Sequence, residues 1–250
     1  MAIVLEKSGD KHRINLEKGG KPITGEIKIN LDWSKGGFFK QMFGGAIDLD
    51  LGCFYELRDG KKMLIDGLQF SHGRGGSRDR QTKQGCYTQS PYIWHKGDDR
   101  GGSSESGETI LVNPVGVPNI KRIIVYTFIY EGAAKWADTN AVVKVSVPGC
   151  EDVIVQMGQQ TSTKKFCAIA SIEMGSDNSM EVKKLVTFHN GTPIVGKEVV
   201  ITDSKSEVSN ADDNMSKFTF TYQYAQKNHN IVEYAKEGRI FDHTFDNTFN

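Results

Sequence analysis

Two stretches in the first quarter of the chain alternate strictly between apolar and polar residues, and both are predicted to be strands. From Ile27 to Trp33 every second side chain is apolar, and the residues between them are polar. The stretch from Ile47 to Leu51 repeats this pattern, with aspartates at its two polar positions. Because successive side chains on a strand point to opposite faces, a period of two is typical of half-buried strands in an antiparallel sheet.

Further strand-like segments follow at short intervals, without amphipathic helical patterns between them. Residues 121–130 are apolar on both faces, which predicts a central strand covered on both sides. Turn signals such as Asp59-Gly60 and Pro148-Gly149 separate the segments. This succession favours an all-β fold, either an antiparallel sandwich or a barrel.

The character of the chain changes near residue 200. We expect residues 1–200 to form one β domain, since all-β domains of this length are often single. Residues 201–250 are predicted to be an extension that packs on the same domain. It carries an alternating aromatic strand at 217–224, followed by a Phe-rich tail.

Composition and charge exclude several classes of protein. Lys and Arg total 31 and Asp and Glu total 31, so the chain has no basic excess and no nucleic-acid partner is expected. The four cysteines form no C-x-x-C pair, which argues against a zinc or redox motif. The beginning of the chain does not resemble a signal peptide, and no window reaches the roughly 20 apolar residues of a membrane helix. These features predict a soluble cytoplasmic protein.

One acidic, glycine-rich segment, residues 96–108, stands out from this background. It contains four carboxylates, three serines and four glycines. Calcium takes six to eight oxygen ligands, including backbone carbonyls, and glycines permit the turns that bring them together. Asp48 and Asp50, about 7 Å apart on one strand face, offer a second wall for such a site. The alternative is an acidic hairpin loop without an ion, and the spacing does not match an EF-hand.

Evidence for an enzyme is weaker. The chain has no G-x-S-x-G elbow, no H-E-x-x-H pair and no dinucleotide-binding fingerprint. His95, close to the acidic segment, is compatible with an acid–base group or a transition-metal ligand, but a surface histidine beside a turn is the commoner case. Paired carboxylates of a hydrolytic sandwich stay open as an alternative, because separations in space are not visible in sequence. We expect a protein that is not an enzyme.

Several motifs in the same order resemble the TerD family of tellurite-resistance and stress-response proteins, over roughly residues 12–190. The strand Ile47–Leu51 is followed by Gly97–Gly102 and then by Gly107-Glu108. The likeness extends to the TerA branch of the family. It is carried there by Asp98-Asp99-Arg100, Tyr126-Thr127-Phe128-Ile129-Tyr130-Glu131-Gly132, Trp136 and Cys167-Ala168-Ile169-Ala170.

The resemblance implies an antiparallel two-sheet β-sandwich with few short helices, which binds one or two calcium ions and has no catalytic activity. It implies a role in tellurite resistance and phage defence, with other Ter-type proteins and a membrane-anchored partner, at the inner face of the membrane. The family's ligand positions correspond here to Asp48, Asp50, Asp98, Asp99, Gly102, Glu105 and Glu108.

A metal-free interaction protein on the same fold is the alternative. Its contact surface would be the basic loop 71–83 or the Phe-rich tail.

Overall fold

Two β-sheets, of seven and six strands, face each other across a shared apolar core. The structure is a computed structural model. It describes residues 2–33, 47–60, 62–66, 78–80, 84–97, 107–131, 135–157, 160–164, 166–189, 191–194 and 198–201.

The described residues form the following strands in chain order. They are β1 (Ala2–Leu5), β2 (Lys11–Asn15), β3 (Glu17–Lys18), β4 (Lys21–Pro22), β5 (Ile27–Asp32), β6 (Asp48–Leu57), β7 (Lys62–Asp66), β8 (Gly85–Cys86), β9 (Ile93–His95), β10 (Glu108–Val112), β11 (Ile120–Glu131), β12 (Val142–Ser146), β13 (Asp152–Gln156), β14 (Phe166–Met174), β15 (Ser179–His189), β16 (Gly191–Ile194) and β17 (Glu198–Ile201). Short 3-10 turns lie at Pro114–Gly116 and Trp136–Asp138.

The seven-stranded sheet has the order β1-β13-β12-β5-β10-β9-β8, and the six-stranded sheet has the order β2-β15-β14-β11-β6-β7. The pairs β3–β4 and β16–β17 form two small separate hairpins. Nearly all pairings are antiparallel, which confirms the predicted all-β sandwich. The exception is the edge strand β1, which pairs with β13 in parallel, with Ala2 opposite Asp152.

The alternating stretch at Ile27–Asp32 behaves as its pattern predicts. Ile27, Ile29 and Leu31 are fully buried in the core, while Lys28 and Asp32 are exposed. The apolar segment 121–130 is also confirmed as a central strand, because β11 lies between β14 and β6. Patterns of period two therefore locate the core-facing side chains correctly.

Strand β6 departs from the expected half-buried pattern, since both of its faces are covered. Its core face carries Leu49 and Leu51, and on its other face Phe54 is buried as well. The ring centroids of Phe54 and Tyr126 lie 4.9 Å apart. A Cβ added at Gly52 would lie 2.3 Å from Cζ of the Tyr126 ring. Gly52 therefore gives the Tyr126 ring the space it needs to pack on this face of β6.

A buried lysine ties the two sheets together near one edge. Lys184 on β15 is 5% exposed, and its Nζ donates hydrogen bonds to the carbonyls of Leu5, Glu6 and Gln156 at 3.2, 2.9 and 2.8 Å. Desolvation by burial lowers the pKa of this amine, although Asp10, Cys167 and Glu6 oppose the shift. The three carbonyls satisfy a group that would be costly to bury alone.

Candidate functional site

Asp48 and Asp50 lie at the beginning of β6, where the strand passes beside β11. In the backbone register Asp48 lies opposite Glu131 and Asp50 opposite Phe128. The predicted alternation is confirmed, because Ile47, Leu49 and Leu51 are buried in the core. Asp48 is half-buried, but Asp50 is only 3% exposed. Asp50 is thus a buried carboxylate and not part of a solvated polar face.

Glu108 approaches the same strand from the opposite sheet. It is the first residue of β10 and is 1% exposed. Its Oε2 accepts a hydrogen bond from the backbone N–H of Leu51 at 2.6 Å, directly after Asp50 in the chain. A hydrogen bond to a charged acceptor in a buried setting is stronger than one between neutral groups. Glu108 therefore fixes the position of β6 relative to the seven-stranded sheet.

His95, at the end of β9, completes this contact. Its Nδ1 accepts a hydrogen bond from the Gly97 N–H at 3.0 Å, so the ring proton lies on Nε2. Nε2 donates to the Leu51 carbonyl at 3.1 Å and lies 3.6 Å from Glu108 Oε2. The ring is fully buried. The prediction of a surface histidine was wrong.

These contacts explain why two polar side chains lie inside the sandwich. β7 ends at Asp66, which pairs with Gly52, so Leu51 lies just beyond the β6–β7 ladder. Buried backbone N–H and C=O groups must be paired. Glu108 and His95 supply the acceptor and the donor that Leu51 uses there. We call these three residues, with their hydrogen bonds, the inter-sheet latch.

The latch holds both ends of the acidic loop. The Gly97 N–H donates a hydrogen bond to His95 Nδ1, and Gly107 immediately precedes Glu108. Gly107 adopts a φ of +52°, and a Cβ there would lie 2.0 Å from the carbonyl oxygen of Leu31. This close approach requires glycine.

The remaining predicted ligands, Asp98, Asp99, Gly102 and Glu105, lie outside the described residues. So do the 217–224 strand, the Phe-rich tail and most of the 71–83 loop. Within the described ranges, no group of three or more His, Cys, Asp or Glu side chains is arranged to hold a metal. The structure thus brings the loop ends, Glu108 and the Asp48/Asp50 strand together, but it does not locate the loop carboxylates.

A calcium ion can be tested against the donor set that is described. Asp48 and Asp50 offer the hard oxygen ligands that calcium prefers. Glu108 is already engaged in the latch, where its Oε2 accepts the Leu51 N–H. Asp48 and Asp50 therefore supply two carboxylates of the kind that calcium uses, whereas Glu108 has a structural role in the latch.

Arg78 belongs to the part of the basic 71–83 loop that the structure describes. Its Nη1 lies 2.9 Å from Glu26 Oε1, and its guanidinium carbon lies over the Tyr87 ring, 4.5 Å from the ring centroid. Arg78 is therefore engaged in packing contacts with its own chain.

Comparison with known proteins gives one clear relative. The chain is 33% identical over 188 residues to the tellurium resistance protein TerA of Alcaligenes sp., and the match covers 73% of this chain and 51% of the relative. The chain belongs to the Ter family of tellurium-resistance proteins. It spans about half the length of the relative that it matches. No family model matches the chain.

Two solved structures resemble this Ter-family chain at a TM-score of 0.46. One is a homologue of telluride resistance protein (TerD) from Streptomyces coelicolor A3(2), 15% identical, with 67% of this chain and 92% of that chain covered. The other is a protein of unknown function, 12% identical, with 69% and 97% covered. Among the residues described for the Ter-family chain, no helix has the length and apolar character needed to cross a bilayer.

Proposed function

We propose that this Ter-family chain is a non-enzymatic, calcium-binding stress-response protein, in which the ion orders the loops of a protein-interaction surface. The observation that carries the proposal is the inter-sheet latch. It holds both ends of the acidic loop, Gly97 and Gly107, against the strand that bears Asp48 and Asp50. An acidic loop that is held at both ends beside a buried carboxylate loses less conformational entropy on closing around an ion than a loop with free ends does.

In this proposal Asp48 and Asp50 form one wall of the site. The loop residues Asp98, Asp99, Gly102 and Glu105 supply the other wall. Clustered carboxylates repel one another, and a divalent cation removes that repulsion. An ion that binds only the folded chain raises the free energy of unfolding, and this gain grows with the logarithm of the ion concentration.

The biological context of the proposal comes from the family. The curated relative is named for tellurium resistance. We infer that the chain serves tellurite resistance and phage defence in the cytoplasm, through contacts with other Ter-type proteins and with a membrane-anchored partner. A formal net charge of zero favours a shaped contact surface over general electrostatic attraction for these partners.

The test is calorimetric titration of metal-free protein with calcium, with magnesium as the competing ion. We expect calcium to release or absorb heat and to raise the melting temperature, and magnesium to do so less, because it demands a smaller octahedral shell. Asp50→Ala combined with Asp98→Ala should abolish calcium binding. Asp152→Ala, which removes a half-buried carboxylate 3.9 Å from Lys144, is the matched control and should bind normally.

Absence of heat and of any melting shift at millimolar calcium would exclude the calcium site. The metal-free interaction protein would then be favoured if truncation of residues 201–250, or charge removal in the 71–83 loop, abolished partner binding.

A further inference from the structure

A cavity of about 680 Å³ opens at the end of β10 remote from the latch. Glu108 begins β10, whereas the turn that follows its other end, Asn113–Pro118, forms one wall of the cavity. The opposite wall comes from the β3–β4 hairpin and the residues after it. The lining consists of Leu16, Lys21, Pro22, Ile23, Thr24, Gly25, Tyr87, Asn113, Pro114, Val115, Val117, Pro118 and Asn178. This volume falls in the range of small-molecule sites.

The wall formed by the Asn113–Pro118 turn is held in place by specific contacts. Asn113 Oδ1 accepts the Val115 N–H at 3.0 Å, and its Nδ2 donates to the Tyr87 carbonyl at 2.9 Å. Tyr92 has a φ of +62° and packs directly on Gly116, where a Cβ would lie 2.1 Å from the Tyr92 Cβ. A bulky residue in the left-handed region is held there only by its surroundings. The cavity is therefore preformed.

The surface that lines the cavity is mostly apolar. Leu16, Ile23 and Val117 are buried beneath the surface, and Val115 is 71% exposed at the rim. Exposed apolar side chains beside an apolar cavity mark a place where burial against another molecule is favourable.

Two polar groups in the lining, the Lys21 ammonium and the Tyr87 phenol, indicate which polar group a ligand of this cavity should carry. Among the described residues of the lining, the one charged side chain is that of Lys21, which is exposed. Tyr87 is 7% exposed. Burial and, secondly, the Glu26 carboxylate raise the pKa of its phenol, against the opposing effect of Arg78, so the hydroxyl stays protonated at neutral pH. An ammonium and a phenolic O–H are both hydrogen-bond donors.

We propose that this cavity binds a small amphipathic anion, an apolar chain or ring that carries a single carboxylate. The apolar body packs between Ile23 and Val117, and the carboxylate lies at the rim beside Lys21. Charge complementarity favours an anion, because the charged residue among the described lining residues is a lysine. The cavity lies at the end of β10 opposite the latch, and the proposed binding there does not require calcium.

The test uses phenylbutyrate as the probe and its uncharged analogue phenylbutanol as the chemical control. Each is titrated into the isotope-labelled full chain while the amide NMR signals are followed. We expect phenylbutyrate to shift the amides of Ile23, Val115, Val117 and Asn178, and phenylbutanol to bind more weakly. Lys21→Gln should weaken phenylbutyrate binding by about two- to fivefold, the effect of one exposed ion pair, and should not alter phenylbutanol binding.

Two further variants make the test specific. Val115→Asp places a negative charge on the exposed rim and should abolish phenylbutyrate binding without unfolding the chain. Lys28→Gln removes an exposed lysine of β5 outside the cavity lining and should leave binding unchanged.

The proposal is overturned if phenylbutyrate shifts none of these amides at concentrations up to about 10 mM. Equal binding of the two probes, or equal losses in Lys21→Gln and Lys28→Gln, would also overturn it. If a second copy of the chain covers the cavity, the same amides will shift on simple dilution of the protein, and the anion site is then excluded.

Discussion

The two ends of β10 lie in opposite environments, one closed and polar and the other open and apolar. At Glu108 the strand enters a closed polar cluster, in which a carboxylate and an imidazole satisfy the backbone of Leu51 on the opposite sheet. At Val112 it leads into an open cavity lined mainly by carbon. The difference teaches that one strand can join the two sheets through buried hydrogen bonds at one end and border an open apolar cavity at the other.

The largest effect is expected from removal of the latch carboxylate. Glu108→Leu leaves the Leu51 N–H buried without its acceptor, so the free energy of unfolding should fall by about 2 kcal/mol. Glu108→Gln keeps an acceptor oxygen and should cost less. Urea denaturation of the three proteins measures the difference. Equal stability of Glu108→Leu and the unmodified chain would contradict the structural role of the latch.

A smaller effect is expected at His95, where two substitutions separate its two hydrogen bonds. His95→Asn places an acceptor near the position of Nδ1, and His95→Gln places a donor near that of Nε2. Each should lower the free energy of unfolding by about 1 kcal/mol.

Hydrogen exchange of the Gly97 amide distinguishes the two His95 variants. We expect protection in His95→Asn and loss of protection in His95→Gln, because only the first retains an acceptor for the Gly97 N–H. Equal exchange in both variants would show that His95 does not hold this end of the acidic loop.

Much of this comparison follows from local pattern, and the rest does not. The alternation at Ile27–Leu31 and Ile47–Leu51 predicts the core faces, since a strand has a fixed period of two. The acidic loop is equally visible, because its composition is unusual. The fully buried Asp50 and His95 were not predictable, because their burial depends on elements that pack against them from elsewhere in the chain.

Contacts between distant residues account for most of what sequence reasoning missed. His95 and Leu51 are 44 positions apart, and Glu108 and Leu51 are 57 apart. The signal that could have linked them is the position of His95 and Glu108 at the two ends of the acidic loop. The cavity has no such signal, since its lining comes from four separate segments of the chain between Leu16 and Asn178.

The smallest expected effect is a pH dependence at the apolar end. The pKa of Tyr87 is raised above its usual value of 10.0, mainly by burial. Above pH 10 the unfolded chain therefore loses this proton before the folded chain does, so the free energy of unfolding should fall as the pH rises. Tyr87→Phe should make that fall shallower, as measured by denaturation at a series of alkaline pH values. An unchanged slope would show that the Tyr87 phenol is as accessible as in the unfolded chain.

The central claim is that calcium acts at the latch end of β10 alone. The most direct measurement is a calcium titration of the metal-free chain followed by its amide NMR signals. We predict saturable shifts of the amides of Gly97, Gly107 and Leu51, with those of Val117 and Asn178 at the cavity unchanged. Absence of shifts at the latch up to about 10 mM calcium, or shifts confined to the cavity, would contradict the account.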